Sequence, residues 1–224
     1  MKILAIETAT EACSAALDIN DSALQRFEIA PRQHTQLILP MVDDLLQEAG
    51  IKINDLDAIA FGQGPGAFTG VRIAIGVVQG LAFAHDLPVI PISSMAALAQ
   101  HFANDYEYVA TAIDARMQEI YWGCYKRNEL GLMQAVIEET VCSPVNISPI
   151  STDNWFGAGT GWKTYPEELK SIFTDNLIDF DGDIFPSAMD LMALAKFEYA
   201  ENRAISIEEA APVYLRNNVA VKSI

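Results

Sequence analysis

The chain has 224 residues, enough for one large domain or two small ones with real cores, and about half of them are apolar. Thirty acids against fourteen bases give a net charge of −16 with no basic cluster, which argues against direct binding of a nucleic acid. No apolar run approaches the roughly 20 residues of a membrane span, Glu7 arrives too early for a signal peptide, and Cys13, Cys124 and Cys142 form no CxxC pair. A reduced, cytoplasmic protein is the expectation.

In chain order, "KILAIET", "CSAALDI" and "SALQRFEI" read as three short strands in an antiparallel meander. "QLILPMVDDLLQEAG" then turns to helical period, with Ile38, Met41, Val42, Leu45, Leu46 and Ala49 on one stripe and Gly50 placed to end it. Pro40 there is tolerable only near the first turn or as a kink. A strand "LDAIAFG" leads into the glycine loop "GQGPG", a helix from about Thr69 to His85, a strand "PVIPI", and a helix opened by Ser93 or Ser94.

This βββαβαβα order has an echo. "AIETATEACSAAL" from Ala5 is matched by "AIDARMQEIYWGCY" from Ala112, and "FGQG" at Phe61 by "FGAG" at Phe156. Echoes in the same order predict a duplicated α/β unit divided near residues 100–107, with a last helix from about Ser187 to Glu201 free to pack on either half.

The glycine loop lacks the Lys and hydroxyl of a Walker motif. Gly62, Gly64 and Ala67 satisfy GxGxxA, yet Asp86 precedes the next strand and so sits at the wrong end to bind a ribose. A tight strand-to-helix turn is the plainer reading, although the open amides at its helix start suit an anion. The helix that follows is apolar almost all round, with only Arg72 and Gln79 polar and with Gly76, Gly80 and Ala84 as a small-residue stripe. Such a helix needs cover on more than one side, which points to a partner.

Reactive groups are few. His34, His85 and His101 have no metal-pair spacing, and His34, just before a helix, reads as a cap or surface residue. Ser93–Ser94 has no GxSxG elbow. Glu7 and Asp114, each ending an echoed strand, are the best acid pair for Mg²⁺ or acid–base work, and the same positions suit structural turns. "YWGCY" alternates aromatics as a core strand does, and "RNEL" and "RNN" near residues 127 and 216 read as loops.

"KILAIETATEACSAAL", "HTQLILPMV", "GPGAFTGVRIAIGVVQGLA", "AIDARMQEIYW" and "PVYLRNNVA" together resemble the bacterial TsaB proteins, also called YeaZ. The resemblance implies an α/β, actin-like (ASKHA) fold of two ribonuclease-H-like βββαβαβα halves. The first, residues 1–102, would carry the partner-binding helices. The second, 103–224, would be smaller and less regular. It further implies a part in making N6-threonylcarbamoyladenosine at position 37 of tRNAs that read codons beginning with A.

The catalytic paralogue, TsaD, holds its metal with an HxxxH helix start after a strand like "PVIPI". In "PISSMAALAQH" Ser94 and Leu98 stand in those two places, and leucine has no donor atom. The expectation is therefore a non-catalytic subunit without metal or cofactor, and not a protease. Its partners would be a TsaD-like transferase and, with ATP, a TsaE-like ATPase. Alone it would pair with itself through the same surface. Leu37, Ile38, Met41, Leu45, Arg72, Ile75 and Gln79 are the interface residues expected from helices 34–49 and 69–85. Glu7, Thr8, Gly64, Gly66 and Asp114 would mark a vestigial nucleotide cleft. TsaB relatives usually read "LAIDTAT"; Glu7 departs from that pattern, and its extra methylene favours a structural role. The competing expectation is an actin-like ATPase or phosphotransferase using Glu7 and Asp114 with Mg²⁺.

Overall fold

The computed structural model describes residues 1–173 and 175–216; the end of the "PVYLRNNVA" stretch, with Asn217 and Asn218 of "RNN", lies outside them. The first half runs β1 (Lys2–Glu7), β2 (Ala12–Ile19), β3 (Ser22–Ile29), α1 (His34–Ala49), β4 (Ala58–Gly62), α2 (Phe68–His85), β5 (Val89–Ile92) and α3 (Ser94–His101). The second runs β6 (Tyr108–Arg116), β7 (Glu119–Arg127), β8 (Met133–Cys142), β9 (Trp155–Ala158), α4 (Thr160–Thr164), α5 (Pro166–Lys170), β10 (Leu177–Asp181) and α6 (Ala188–Ala200).

Each half builds a five-stranded sheet, ordered β3-β2-β1-β4-β5 in one and β8-β7-β6-β9-β10 in the other. The two orders are the same, with a meander of three antiparallel strands followed by two parallel ones. This is the actin-like fold of two ribonuclease-H-like halves, and it accounts for the sequence echo. The element starts read from the sequence hold to within a few residues. Gly50 ends α1 in the left-handed region at φ 66°, where glycine carries no Cβ penalty. Ser93 caps α3 by accepting from Met95 N and Ala96 N at 3.1 Å each.

Alternation along the strands sorts the core into layers. Leu4, Ile6, Ile59 and Phe61 face α1 and α2, while Ile3, Ala5, Ala58, Ala60 and Ile90 face α6. The small alanines let α6 sit close to the sheet. In the second half Trp122, Trp155, Trp162 and Phe173 fill the α4–α5 side, and Trp162 Nε1 donates to the Ala110 carbonyl at 2.9 Å. The other side, Val109, Ile113, Tyr125 and Met133, is covered by Met95, Leu98 and Ala99 of α3. Each half thus covers a face of its sheet with a helix whose sequence belongs to the other half.

The three thiols are unpaired. Burial pushes the Cys13 thiol up to about 11 and raises Cys124 further still, whereas Cys142 is half exposed. A thiolate reagent should therefore label one cysteine in the native protein and three after denaturation. Rapid native labelling of all three would contradict the packing.

Candidate functional site

The glycine loop is shaped by what it touches. A Cβ on Gly62 would overlap the Glu7 carboxylate, one on Gly66 the Ala9 carbonyl oxygen, and one on Gly70 the Thr8 carbonyl oxygen. Ala67 N donates to Ala9 O at 2.7 Å, and Thr8 Oγ1 donates to Gly70 O at 2.8 Å. The loop and the start of α2 therefore clamp the β1–β2 turn backbone to backbone. The glycines make room for protein rather than for a phosphate.

Glu7 lies at the centre of this clamp, fully buried. Its Oε1 accepts from Ala9 N at 2.6 Å and its Oε2 from Ser94 Oγ at 2.7 Å. Loss of solvent raises the carboxyl to about 7, against the lowering effect of the bonds from Ser94, Ala9 and Thr8. Leu98, one turn beyond Ser94, is buried and packs in the second sheet's core beside Gly159. Ser94 and Leu98, the two places where the resemblance set the paralogue's histidines, thus hold a hydroxyl bonded to Glu7 and a core leucine.

Asp114 has a different neighbourhood. Its Oδ1 accepts from Arg116 N and its Oδ2 from Arg116 Nη1, both at 2.8 Å. It lines a cavity of about 270 Å³ between the halves, together with Thr10, Gly66, Arg116, Tyr214 and Arg216. Glu7 and Thr8 are sealed beneath the turn, and Gly64 packs on Val71 and Val213. Among the five expected cleft positions the structure brings only Gly66 and Asp114 to this cavity. Sequence reasoning missed Tyr214 and Arg216, which arrive from the "PVYLR" stretch. Val213 N donates to Gln63 O at 2.9 Å, Tyr214 stacks on Phe68 at 5.7 Å, and Arg216 Nε donates to Glu119 at 3.0 Å. Residues 213–216 thus strap one half to the other.

Burial in α1 and α2 separates the stripe packed on their own sheet from the outward one. Ile38, Met41, Leu45 and Ile75 lie in the first half's own core, at most 8 % exposed, which removes them from the expected interface. The most apolar stripe of each helix is the one its own sheet claims. Arg72 and Gln79 do face outward, and Leu37 is half-buried. Beside them on α2 lie exposed Phe68, Gly76, Gly80, Phe83 and Ala84, and on α1 exposed Leu39. Phe83 is 76 % exposed, and nothing lies within 4 Å of a Cβ built on Gly76 or Gly80. The Arg72 guanidinium sits 3.2 Å above the Phe68 ring, so even the polar residue of this face is laid flat. α2 corrects the reading that no apolar run approaches a membrane span: by length and composition it is apolar enough to cross one, and only a third of it is buried. His34, taken as a cap or surface residue, is instead the buried first residue of α1.

Comparison with known proteins gives a consistent picture. A family model described as "TsaD: tRNA N6-adenosine threonylcarbamoyltransferase" matches residues 27–223. The "tRNA threonylcarbamoyladenosine biosynthesis protein TsaB" of Escherichia coli K12 is 44% identical, covering 100% of this chain and 98% of that protein. The protein of the same name from Haemophilus influenzae is 42% identical, covering 100% of this chain and 97% of its own length. Among solved structures, "YeaZ from Pseudomonas aeruginosa" superposes with a TM-score of 0.88 at 48% identity, over 96% of this chain and 99% of that one.

Proposed function

Because the chain belongs to the TsaB/YeaZ family of tRNA threonylcarbamoyladenosine biosynthesis proteins, we propose that it acts as a non-catalytic subunit that docks onto a TsaD-like transferase and stabilises or activates it. A TsaE-like ATPase would join this pair, and the chain alone would form a homodimer through the same face. The observation that carries the reading is the outward side of α2. An apolar, glycine-lined stripe with free space above Gly76 and Gly80 suits the close approach of another helix. The acidic surface is compatible with a complex in which the transferase, and not this chain, grips the tRNA. The phosphotransferase alternative finds less support. Glu7 is sealed and bonded to Ser94, and Asp114 is neutralised by Arg116, so the two acids share no open site.

Gly80→Arg tests this reading. A Cβ at this exposed position meets nothing within 4 Å beyond its own helix backbone, and glycine costs a helix interior about 1 kcal/mol relative to alanine, so the variant should fold at least as well as the parent. Binding to the transferase should fall at least a hundredfold, roughly 3 kcal/mol, with tRNA modification lost alongside. Wild-type binding by the folded variant would refute the docking face.

A further inference from the structure

A second cavity, of about 690 Å³, opens between the first turns of α1 and α2 and adjoins the interlobe cleft, with which it shares Thr10, Glu11, Ala67 and Arg116. Its lining includes Thr10 and Glu11 of the β1–β2 turn, Arg32 and His34 at the entry to α1, Thr69 of α2, and Arg116 from the second half. Both helices begin here on residues that give no side-chain cap, Gln33 and Ala67, and neither first turn contains an acid. Two helix ends with open N–H groups and partial positive charge therefore converge on one space.

Independent features point the same way. Thr10 Oγ1 and His34 Nε2 are shut off from solvent and have no hydrogen-bond partner, though both residues are over nine-tenths buried. Leaving a polar atom in that state costs about 1–3 kcal/mol, and a group bound in the cavity relieves that penalty if either side chain turns towards it. In a chain with thirty acids, Arg32 forms no ion pair among the described residues. The one acid of the lining, Glu11, is already taken, accepting from Arg116 Nη2 at 2.9 Å. Arg116 is balanced by Glu11 and Asp114, so a cation here would face the unpaired Arg32 guanidinium and two positive helix ends. An apolar ligand would leave the hydroxyls, the imidazole and the amides unpaired.

We infer that this cavity is an oxyanion site, taking a carboxylate or phosphate group between Arg32, the Thr10 hydroxyl, His34 and the open amides of the two helix starts. The site rests on the isolated chain alone. Only the source of its anion depends on the docking reading: either an acidic side chain of the partner, since Ile73 both lines the cavity and adjoins the outward face, or a free small anion.

The test is a titration of the isolated chain with inorganic phosphate, against chloride at equal ionic strength. Readouts are the thermal midpoint and the His34 ring resonances. Phosphate should raise the midpoint and shift His34 saturably, with a Kd near about 1 mM. Arg32→Glu should weaken that response at least tenfold. Thr10→Val should weaken it too, while folding as well as the parent because it removes an unpaired hydroxyl. No response at about ten times that concentration, or an equal response in all three proteins, would overturn the site. Complex formation then separates the sources. Competition by phosphate with the transferase assigns the site to a partner carboxylate. Binding that is unchanged or tightened by phosphate assigns it to a free anion. Either result keeps the site, and Gly80→Arg reports separately on the docking face.

Discussion

Gly70→Ala is expected to destabilise the fold by about 3 kcal/mol or more, enough to unfold a marginal protein at its working temperature. The added methyl would overlap the Thr8 carbonyl oxygen, a backbone atom that no rotamer change can move aside. Relief would need the start of α2 to lift off the β1–β2 turn, which breaks the 2.8 Å bond from Thr8 Oγ1 to Gly70 O and exposes the sealed Glu7. The same substitution ten residues along, Gly80→Ala, meets nothing within 4 Å and should instead gain up to about 1 kcal/mol from helix propensity. Denaturant unfolding of the two variants makes the comparison, and near-equal midpoints would contradict the clamp.

Stability should fall as pH rises from about 4.5 to about 7, through the proton on Glu7. The folded state holds this proton up to about 7, whereas an unfolded chain releases it near 4.5. Below 4.5 both states are protonated and the group contributes no difference; between the two values the native state binds more protons, so raising the pH disfavours it. Each pH unit is worth about 1.4 kcal/mol, and the whole window about 3 kcal/mol, beyond which this contribution is flat. Glu7→Gln should remove that slope, because an amide can accept from Ala9 N, donate to the Ser94 hydroxyl and never ionise. At pH 8 the variant should exceed the parent by about 2–3 kcal/mol. A slope of the same size in both proteins would place the ionisation elsewhere.

Much of this architecture is legible in the chain because short-range chemistry sets it. The short apolar run of "KILAIE", the cap at Ser93 and the stop at Gly50 are each decided within a few residues. The duplication was legible too, since strands with the same place in the two sheets face the same packing demands. What the sequence hid was decided at long range. α1 and α2 carry more apolar residues than one face needs, and periodicity cannot say which stripe the sheet will take. Ile38, Met41, Leu45 and Ile75 went inward, while the glycine stripe went out. Glu7 and Asp114 looked alike as strand-ending acids, but Ser94 claims one and Arg116 the other. Tyr214 and Arg216 reach the cleft from about a hundred residues beyond Glu119, a closeness no local pattern records.

The crossed helices have a consequence for how the molecule is made. The alanine-rich face of the first sheet, Ala5, Ala58 and Ala60, stays bare until α6 arrives some hundred residues later. A ribosome that has finished β5 has therefore released a half with an open greasy flank, and that half cannot mature before α6 has been made. Nascent chains halted before residue 188 should be held by chaperones or degraded, whereas chains that include α6 close in one late step.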